Sequence, residues 1–416
     1  MGLTIDHRDG PGYPDVVNDL LTQLARRPRP LRVGVVGAGK FATMFTTQAR
    51  RVEGLEVAWV ADLDLDRARA AADGAPVGTD SAELIAREEA DVVIEATGSP
   101  RAGARHALAA IEHGQHVVMV TVEADVLVGP ALARRASEAG LVYTLAYGDQ
   151  PALVCELVEW ARVCGFEVVC AGKGTRYEPG FELTTPDTVW QRYGATPAGA
   201  DPRMFTTFVD GTKSAIEMAA VSNATGLVPQ DDGLRFPVAS RDDLAELPAG
   251  LSRLGTVEVV AGEDLRWGVY VVFAASDDLA RRSLEEYGVQ TDREGRWAAL
   301  YRPSHLIGLE LGVSVLRAGL RGEATGFARA LNADVVSVAK RDLVPGDVLD
   351  GEGGFCAHGR LVPIARSVEE HLLPIGLSAG STVTRPVAAG VTIGLDAVEV
   401  RGDELVARLR QESLGL

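Results

Sequence analysis

The apolar positions follow two rhythms. Up to about residue 150, short apolar runs bounded by Gly, Pro or Asp alternate with longer segments whose apolar residues recur at helical spacing. RVGVVGAGKFA (32–42) is an apolar strand running into a helix. LEVAWVADLD (55–64), DVVIEATGSP (91–100), HVVMVTVEAD (116–125) and LVYTLAYGDQPA (141–152) are the next strands, with GPALARRASEAG as the helix between the last two. Strands that are apolar throughout and separated by helices predict a parallel sheet covered on both faces. Upstream, GYPDVVNDLLTQLAR (12–26) predicts a short amphipathic helix, ended by Pro28 and Pro30.

Beyond residue 151 the pattern becomes mixed. LVCELVEWARVCG (153–165) predicts a helix, FEVVCAGKGTRY (166–177) a strand entering a glycine-containing loop, and 178–209 an irregular stretch. DGTKSAIEMAAVSNATGL (210–227) predicts a packed helix, residues 257–275 a pair of antiparallel strands, and 297–319 a strand, a turn and a helix. From about 331 the chain is rich in turns and strands. The expected fold is α/β. An N-terminal extension (1–30) precedes a Rossmann domain (31–150), an α+β catalytic and dimerisation domain (151–330) and a small β-rich domain (331–416).

Composition narrows the partners. A chain of 416 residues exceeds what one core serves. A net charge of −17 argues against nucleic acid and against an anionic membrane, so an anionic substrate would need a local basic pocket. The four cysteines form no CxxC pair and predict reduced, mostly buried thiols. With no signal-peptide pattern and no apolar run of spanning length, the expectation is a cytoplasmic protein.

Candidate chemistry begins at the first strand. Gly37-x-Gly39-x-x-Ala42 lies between a strand and a helix that takes in Lys40 and Phe41. Gly37 suits the tight turn, Gly39 lets a pyrophosphate approach the backbone, and the helix N-terminus offers free N–H groups. Asp62 ends the second strand, where an acid bonds a ribose hydroxyl and favours NAD(H). Arg67 and Arg69 stand close enough to accommodate a 2′-phosphate instead. Thr97 and Gly98 end the next strand of the series and would edge the nicotinamide side. Glu123 and Asp149 fall at later strand ends, where an acid accepts substrate hydroxyls, holds a metal or caps a helix. Lys173 and Arg176 in GKGTR suit a phosphate or carboxylate, or belong to a solvated loop. Asp210, Lys213 and Glu217 share one face of the packed helix, with Asp210 or Thr212 as its N-cap; they are catalytic or a buried structural pair. His305 lies in a polar turn and reads equally as structural or catalytic. No ligand spacing argues for a metal, although a divalent ion among the acids stays open.

GVVGAGKFA, EATGSP, VTVEADVLVGP, YGDQPA, GKGTRY, DGTKSAIEMAAVSNATGL, YRPSHLIGLELG and LPIGLSAGSTVTRPVAAGVTIGLDAVEV together resemble the homoserine dehydrogenase-like family, in its branch with a C-terminal SAF domain. That branch includes deoxyxylulose phosphate reductoisomerase-like enzymes, which build a branched methylerythritol phosphate skeleton with NADPH. The resemblance implies a Rossmann domain, a central catalytic domain and a homodimer, and it moves the cofactor expectation slightly toward NADP(H). The chain departs from the dehydrogenases at both of their lysines. Thr121-Val122-Glu123-Ala124 stands where they carry Thr-Ala-Asn-Lys. Aligning the glycine of their Gly-x-Asp-x-x-Arg-Lys motif with Gly211 puts Lys213 at the aspartate and Glu217 at the lysine. The expectation is reduction of a small polyhydroxylated, anionic carbonyl compound, most concretely by a reductoisomerase. The alternatives are a plain dehydrogenase of a homoserine-like or sugar alcohol substrate and a non-catalytic nucleotide sensor.

Overall fold

The computed structural model describes residues 19–197 and 199–415. Of the helix predicted over 12–26, residues 12–18 lie outside the described residues, and the remainder forms a helix at Leu20–Ala25. The first sheet contains β1 (Leu31–Val36), β2 (Leu55–Ala61), β3 (Val77–Gly78), β4 (Val92–Glu95), β5 (His116–Met119) and β6 (Tyr143–Leu145). All pair in parallel, in the order β3-β2-β1-β4-β5-β6. The strand order reverses beside β1, which opens a crevice at the carboxyl ends of β1 and β4, the usual ligand position in such sheets. Helices α1 (Lys40–Ala49), α2 (Pro100–Glu112), α3 (Val122–Glu138) and α4 (Gln150–Val163) follow β1, β4, β5 and β6. Gly34 in β1 leaves the room that the buried Trp59 indole fills; a side chain there would overlap the ring.

The strand predicted to run through residue 125 stops at Met119, and α3 begins at Val122 rather than at 129. Val122, Val126, Leu127 and Val128 are buried together, and a short apolar run buried on every side carries no period that separates strand from helix. Pro130 also misplaced the start, since proline favours a first turn and here lies inside the helix.

The second sheet contains β7 (Glu167–Thr175), β8 (Thr256–Ala261), β9 (Val269–Ala274), β10 (Gln290–Thr291) and β11 (Trp297–Arg302), in the order β10-β11-β9-β7-β8. The pair predicted within 257–275 is not a hairpin. β7 lies between β8 and β9, parallel to the first and antiparallel to the second. The stretch predicted as irregular holds helices at Val189–Tyr193 and at Pro202–Val209 (α5). Asp201 caps α5 by accepting from Arg203 N at 2.9 Å, with Pro202 in the first turn.

Helix α6 (Thr212–Thr225) runs through the centre of the molecule. Ala215, Ile216, Met218, Ala219, Ala220 and Val221 are all buried. Full burial of side chains such as Ile216 and Val221 contributes about 2 kcal/mol each. Both ends of α6 are tied to the C-terminal segment, which carries the antiparallel pair β12 (Ala333–Ala339) and β13 (Ala357–Pro363). Gly359 N donates to Thr212 Oγ1 at 2.8 Å. Asn223 Oδ1 accepts from Asn332 N at 2.7 Å and Ala333 N at 3.0 Å. The C-terminal segment is not only β-rich. It ends in α7 (Glu404–Leu414), which returns to α3 through an Arg135–Glu412 ion pair at 2.7 Å. No helix among the described residues is long and apolar enough to cross a membrane.

Candidate active site

The carboxyl edge of the first sheet fits a dinucleotide. Gly37 has φ of 91°, and a Cβ there would lie 2.5 Å from the Ala96 carbonyl oxygen, so only glycine closes the turn. A Cβ at Gly39 would meet nothing within 4 Å, which leaves open space before the N-terminus of α1. Gly39 is the N-cap of α1 and makes no side-chain cap bond, so the first N–H groups are available to an anion. Lys40 is exposed and, among the described residues, makes no ion pair; Phe41 is half-buried and Ala42 buried against the sheet. Asp62 accepts from Ala38 N at 2.6 Å and Asp64 N at 2.8 Å. Its carboxylate therefore stays beside the glycine turn, where a ribose would lie. Arg67 and Arg69 pair with Asp64 at 3.5 Å and Asp66 at 2.9 Å on the surface. Thr97 Oγ1 donates to the buried Glu95 Oε1 at 2.6 Å, and Gly98 N donates to Thr121 Oγ1 at 3.0 Å. Thr121 immediately precedes α3, whose first turn presents Glu123. The nucleotide edge thus leads directly to the charged residues.

Those residues do not form the single stripe predicted along α6. The helix starts after Gly211, at φ of 83°, and Asp210 Oδ1 accepts from Thr212 N at 2.9 Å, so the Asp210 side chain serves the first turn although Gly211 holds the N-cap position. Each charge turns to a different element. Lys213 Nζ donates to Glu123 Oε1 at 2.7 Å. Glu217 pairs with Lys173 of β7, which also donates to Gln150 Oε1 at 2.9 Å. Asp210 accepts from Lys340, at the end of β12, at 2.8 Å.

An ammonium has three donors, and their use separates the three lysines. Lys340 spends all of its own, on Asp210, on Thr184 O at 2.6 Å and on Gly354 O at 2.9 Å. Lys173 uses two. Lys213 uses one, and its side chain is 19% exposed against 9% and 2% for Lys173 and Lys340. Of the three lysines around α6, Lys213 therefore has the most donors left for a bound molecule and is the most exposed.

Electrostatics agrees with that assignment. Burial pulls the Lys213 pKa down, but Glu123, Glu217 and Asp149 outweigh it and hold the group above the usual lysine value. The side chain is a committed cation. Asp149, at the N-cap of α4, accepts from Gln150 N at 3.0 Å. Burial and the Glu217 charge push it up to about 6, against Lys213 and His305. Glu352, half-buried on a turn after β12, is pushed up to about 8 by burial and Glu123, with Lys213 opposing.

The anion grip predicted at Lys173 and Arg176 is absent. GKGT is the end of β7, not a loop. Gly174 N is already bonded to Gly268 O at 3.1 Å, and side chains at Gly172 or Gly174 would collide with Glu258 O or Leu265 O. The glycines serve close strand packing rather than anion binding. Arg176 lies at the surface beside Glu178, 3.6 Å away. His305 donates from Nδ1 to Trp267 O at 2.8 Å, next to an Arg302–Glu310 pair that also holds Tyr147. Asp125 is buried within α3 and accepts from Tyr143 at 3.0 Å.

Sequence reasoning missed Lys340 and Glu352. Lys340 had a signal. Only four of the 41 basic residues are lysine: Lys40, Lys173, Lys213 and Lys340. In a chain that takes almost all of its positive charge from arginine, the lysines mark places needing a compact ammonium. Three of them meet around α6, and the fourth follows the glycine turn. Glu352 lies in a glycine-rich turn, DGEGGFC, that announces no chemistry.

Comparison with known proteins follows the same division. Inositol 2-dehydrogenase 4 of Saccharopolyspora erythraea is 41% identical over 90 residues, 21% of this chain. The chain spans about a quarter of that relative's length, 26%. Among solved structures, the oxidoreductase yvaA of Bacillus subtilis is 14% identical over 72% of this chain and 91% of its own, with a TM-score of 0.40. Dipicolinate-bound dihydrodipicolinate reductase of Paenisporosarcina sp. TG-14 is 14% identical over 71% of this chain and 97% of its own, at 0.38. Scores this low carry nothing about substrate or mechanism. Residues 33–144 match the family model described as homoserine dehydrogenase, NAD binding domain, and residues 148–311 match oxidoreductase DRL, catalytic domain. The chain thus carries an NAD-binding domain of the homoserine dehydrogenase type followed by a DRL oxidoreductase catalytic domain.

Proposed function

We propose that the protein is a nicotinamide-dependent oxidoreductase of a small polyhydroxylated carbonyl compound or its alcohol, with Lys213 as the donor to the reacting oxygen. The observation that carries this is the unspent donor capacity of Lys213, a partly exposed ammonium at the junction of the nucleotide edge and the catalytic domain. The dinucleotide would be held by Gly37, Gly39, Lys40 and Asp62, and it supplies hydride exchange. The chain's own residues handle oxygen and protons. Lys213 stabilises negative charge developing on the substrate oxygen, and Glu123 fixes the ammonium in place. Asp149, at about 6, is suited to accept a proton near neutral pH. Lys173, itself bonded to Gln150, holds Glu217 nearby.

The carboxylates around Lys213, Glu123, Glu217 and Asp149, are acceptors suited to hydroxyl groups, which supports a polyol-like substrate. Nothing at Lys173 or Arg176 supports a phosphate grip. Asp62 beside the glycine turn, with both nearby arginines engaged by acids, supports NAD(H) over NADP(H).

A second reading, skeletal rearrangement before hydride transfer, is favoured by one feature. Asp149 and Glu352 are pushed to about 6 and about 8, so the site holds two groups able to move protons between adjacent oxygens. Cofactor absorbance screening with polyols, ketoses and their phosphates tests the first reading. Carbon connectivity of the product by NMR tests the second, because a plain dehydrogenase leaves the skeleton unchanged. The resemblance of the tail to a SAF domain and the expected homodimer belong to the same proposal. Sedimentation of the purified chain tests the dimer.

A further inference from the structure

Beneath the nucleotide edge lies a series of hydrogen bonds that the proposed chemistry does not use. Glu95, the last residue of β4, is fully buried. Its Oε1 accepts from Thr97 Oγ1 at 2.6 Å and from Nδ1 of His106, on α2, at 3.1 Å. A carboxylate only accepts, so Nδ1 carries a proton, and Nε2 faces Ser81 Oγ at 2.8 Å. Ser81 opens the helix Ser81–Arg87, which follows β3. The four side chains thus run in an unbroken series from the half-buried Ser81 to the exposed Thr97.

Core packing alone does not call for this arrangement. A buried carboxylate is costly to desolvate, and Glu95 Oε2 has no hydrogen-bond partner among the described residues. The surroundings are nevertheless shaped to hold it. Gly103 of α2 leaves the room: a Cβ there would lie 2.9 Å from Ala124 Cβ and 3.1 Å from Glu95 Oε2. Among the described residues, His106 is the only basic side chain paired with Glu95. The consequence falls on the turn after β4. Thr97 and Gly98 are exposed there, against the glycine turn of β1, because a Cβ on Gly37 would lie 2.5 Å from Ala96 O and 2.9 Å from Thr97 N. The Thr97 hydroxyl spends its proton on Glu95 and accepts from Ser99 N at 3.3 Å. It has no proton left for a bound molecule.

We propose that His106 is a positioning residue for the nicotinamide half of the dinucleotide: by clamping Glu95 it draws the Thr97 hydroxyl inward and fixes the main chain of the Thr97–Gly98 turn at the crevice. His106 itself touches no cofactor. Without its bond the acceptor for Thr97 is no longer fixed, and the turn keeps only its second anchor, the bond from Gly98 N to Thr121 Oγ1 at 3.0 Å. The inference needs the dinucleotide domain alone and is independent of what Lys213 does to a substrate.

The test is calorimetric binding of NADH and of ADP to the full chain. ADP carries the adenosine and pyrophosphate but no nicotinamide half. His106→Leu removes a bond to a charged group, so it should weaken NADH binding by about tenfold or more and leave ADP within about twofold. His106→Gln, whose amide can still donate to Glu95, should bring NADH back to within about threefold of wild type. Thr97→Val should act like His106→Leu. The double variant should bind NADH no more weakly than the weaker single one, because both act through Glu95 Oε1. If His106→Leu does not fold, His106→Asn replaces it, since its shorter side chain falls short of Glu95. Losses that are equal for NADH and ADP are general damage and overturn the proposal. So do losses that multiply in the double variant, which would make Thr97 a cofactor contact in its own right, and so does a His106→Leu chain that binds NADH as wild type does.

Discussion

The nucleotide edge and the charged centre are built on opposite plans. At the edge, backbone does the binding. A glycine in the left-handed region, a second glycine with open space before it and a free helix terminus are enough, and Asp62 closes the turn from 24 residues away. At the centre, side chains do everything, and partners are far apart. Glu123 and Lys213 are separated by 90 residues, Lys173 and Glu217 by 44, Asp210 and Lys340 by 130. The edge tolerates exposure because its ligand supplies the charge. The centre is buried, so each cation must be matched by an acid, and Lys213 keeps the largest surplus of donors.

The contrast is sharpest for Lys173. Lys173→Met strands the Glu217 charge in the interior and should cost about 3 kcal/mol or more in denaturant unfolding. Lys173→Met combined with Glu217→Leu should recover much of that loss. If Lys173 were an anion grip, the single variant would retain its stability and lose substrate affinity instead. Gly37→Ala attacks the other plan. A Cβ 2.5 Å from Ala96 O, on a residue at φ of 91°, should cost roughly 1–3 kcal/mol and abolish dinucleotide binding by calorimetry. Asp62→Ser removes the charge facing the ribose. It should shift the NADPH-to-NADH ratio of kcat/KM by about tenfold toward NADPH, or ~1.4 kcal/mol. Arg176→Ala is the smallest. The residue is exposed, and its loss should change stability by no more than about 0.5 kcal/mol and leave KM unmoved.

The same division decides what the sequence could reveal. Gly37, Gly39 and Asp62 were legible because turn, helix start and strand end are local events with fixed spacing. The parallel sheet was legible from its apolar runs. The start of α3 was not, because Val122–Val128 is buried on every side and shows no period. The separation of β8 and β9 by β7 was not, because strand order is set by long-range pairing. In the centre, Lys213, Glu217, Asp210, Glu123 and Lys173 were all singled out, yet their partners were misassigned. Helical spacing put Lys213 with Glu217, while the fold gives each a partner on another element. The two glycines of GKGT read as a loop because close strand packing and anion binding call for the same residue.

In the proposed function Lys213 contributes to chemistry rather than to the fold. Its most direct test is Lys213→Gln, in which the amide can still bond Glu123, measured for both dinucleotide Kd and kcat on whichever substrate the cofactor screen identifies. The prediction is an unchanged Kd, a thermal midpoint within a few degrees of wild type, and kcat lower by about 10²–10⁴-fold. An unchanged kcat, or a loss that follows unfolding step for step, would contradict it.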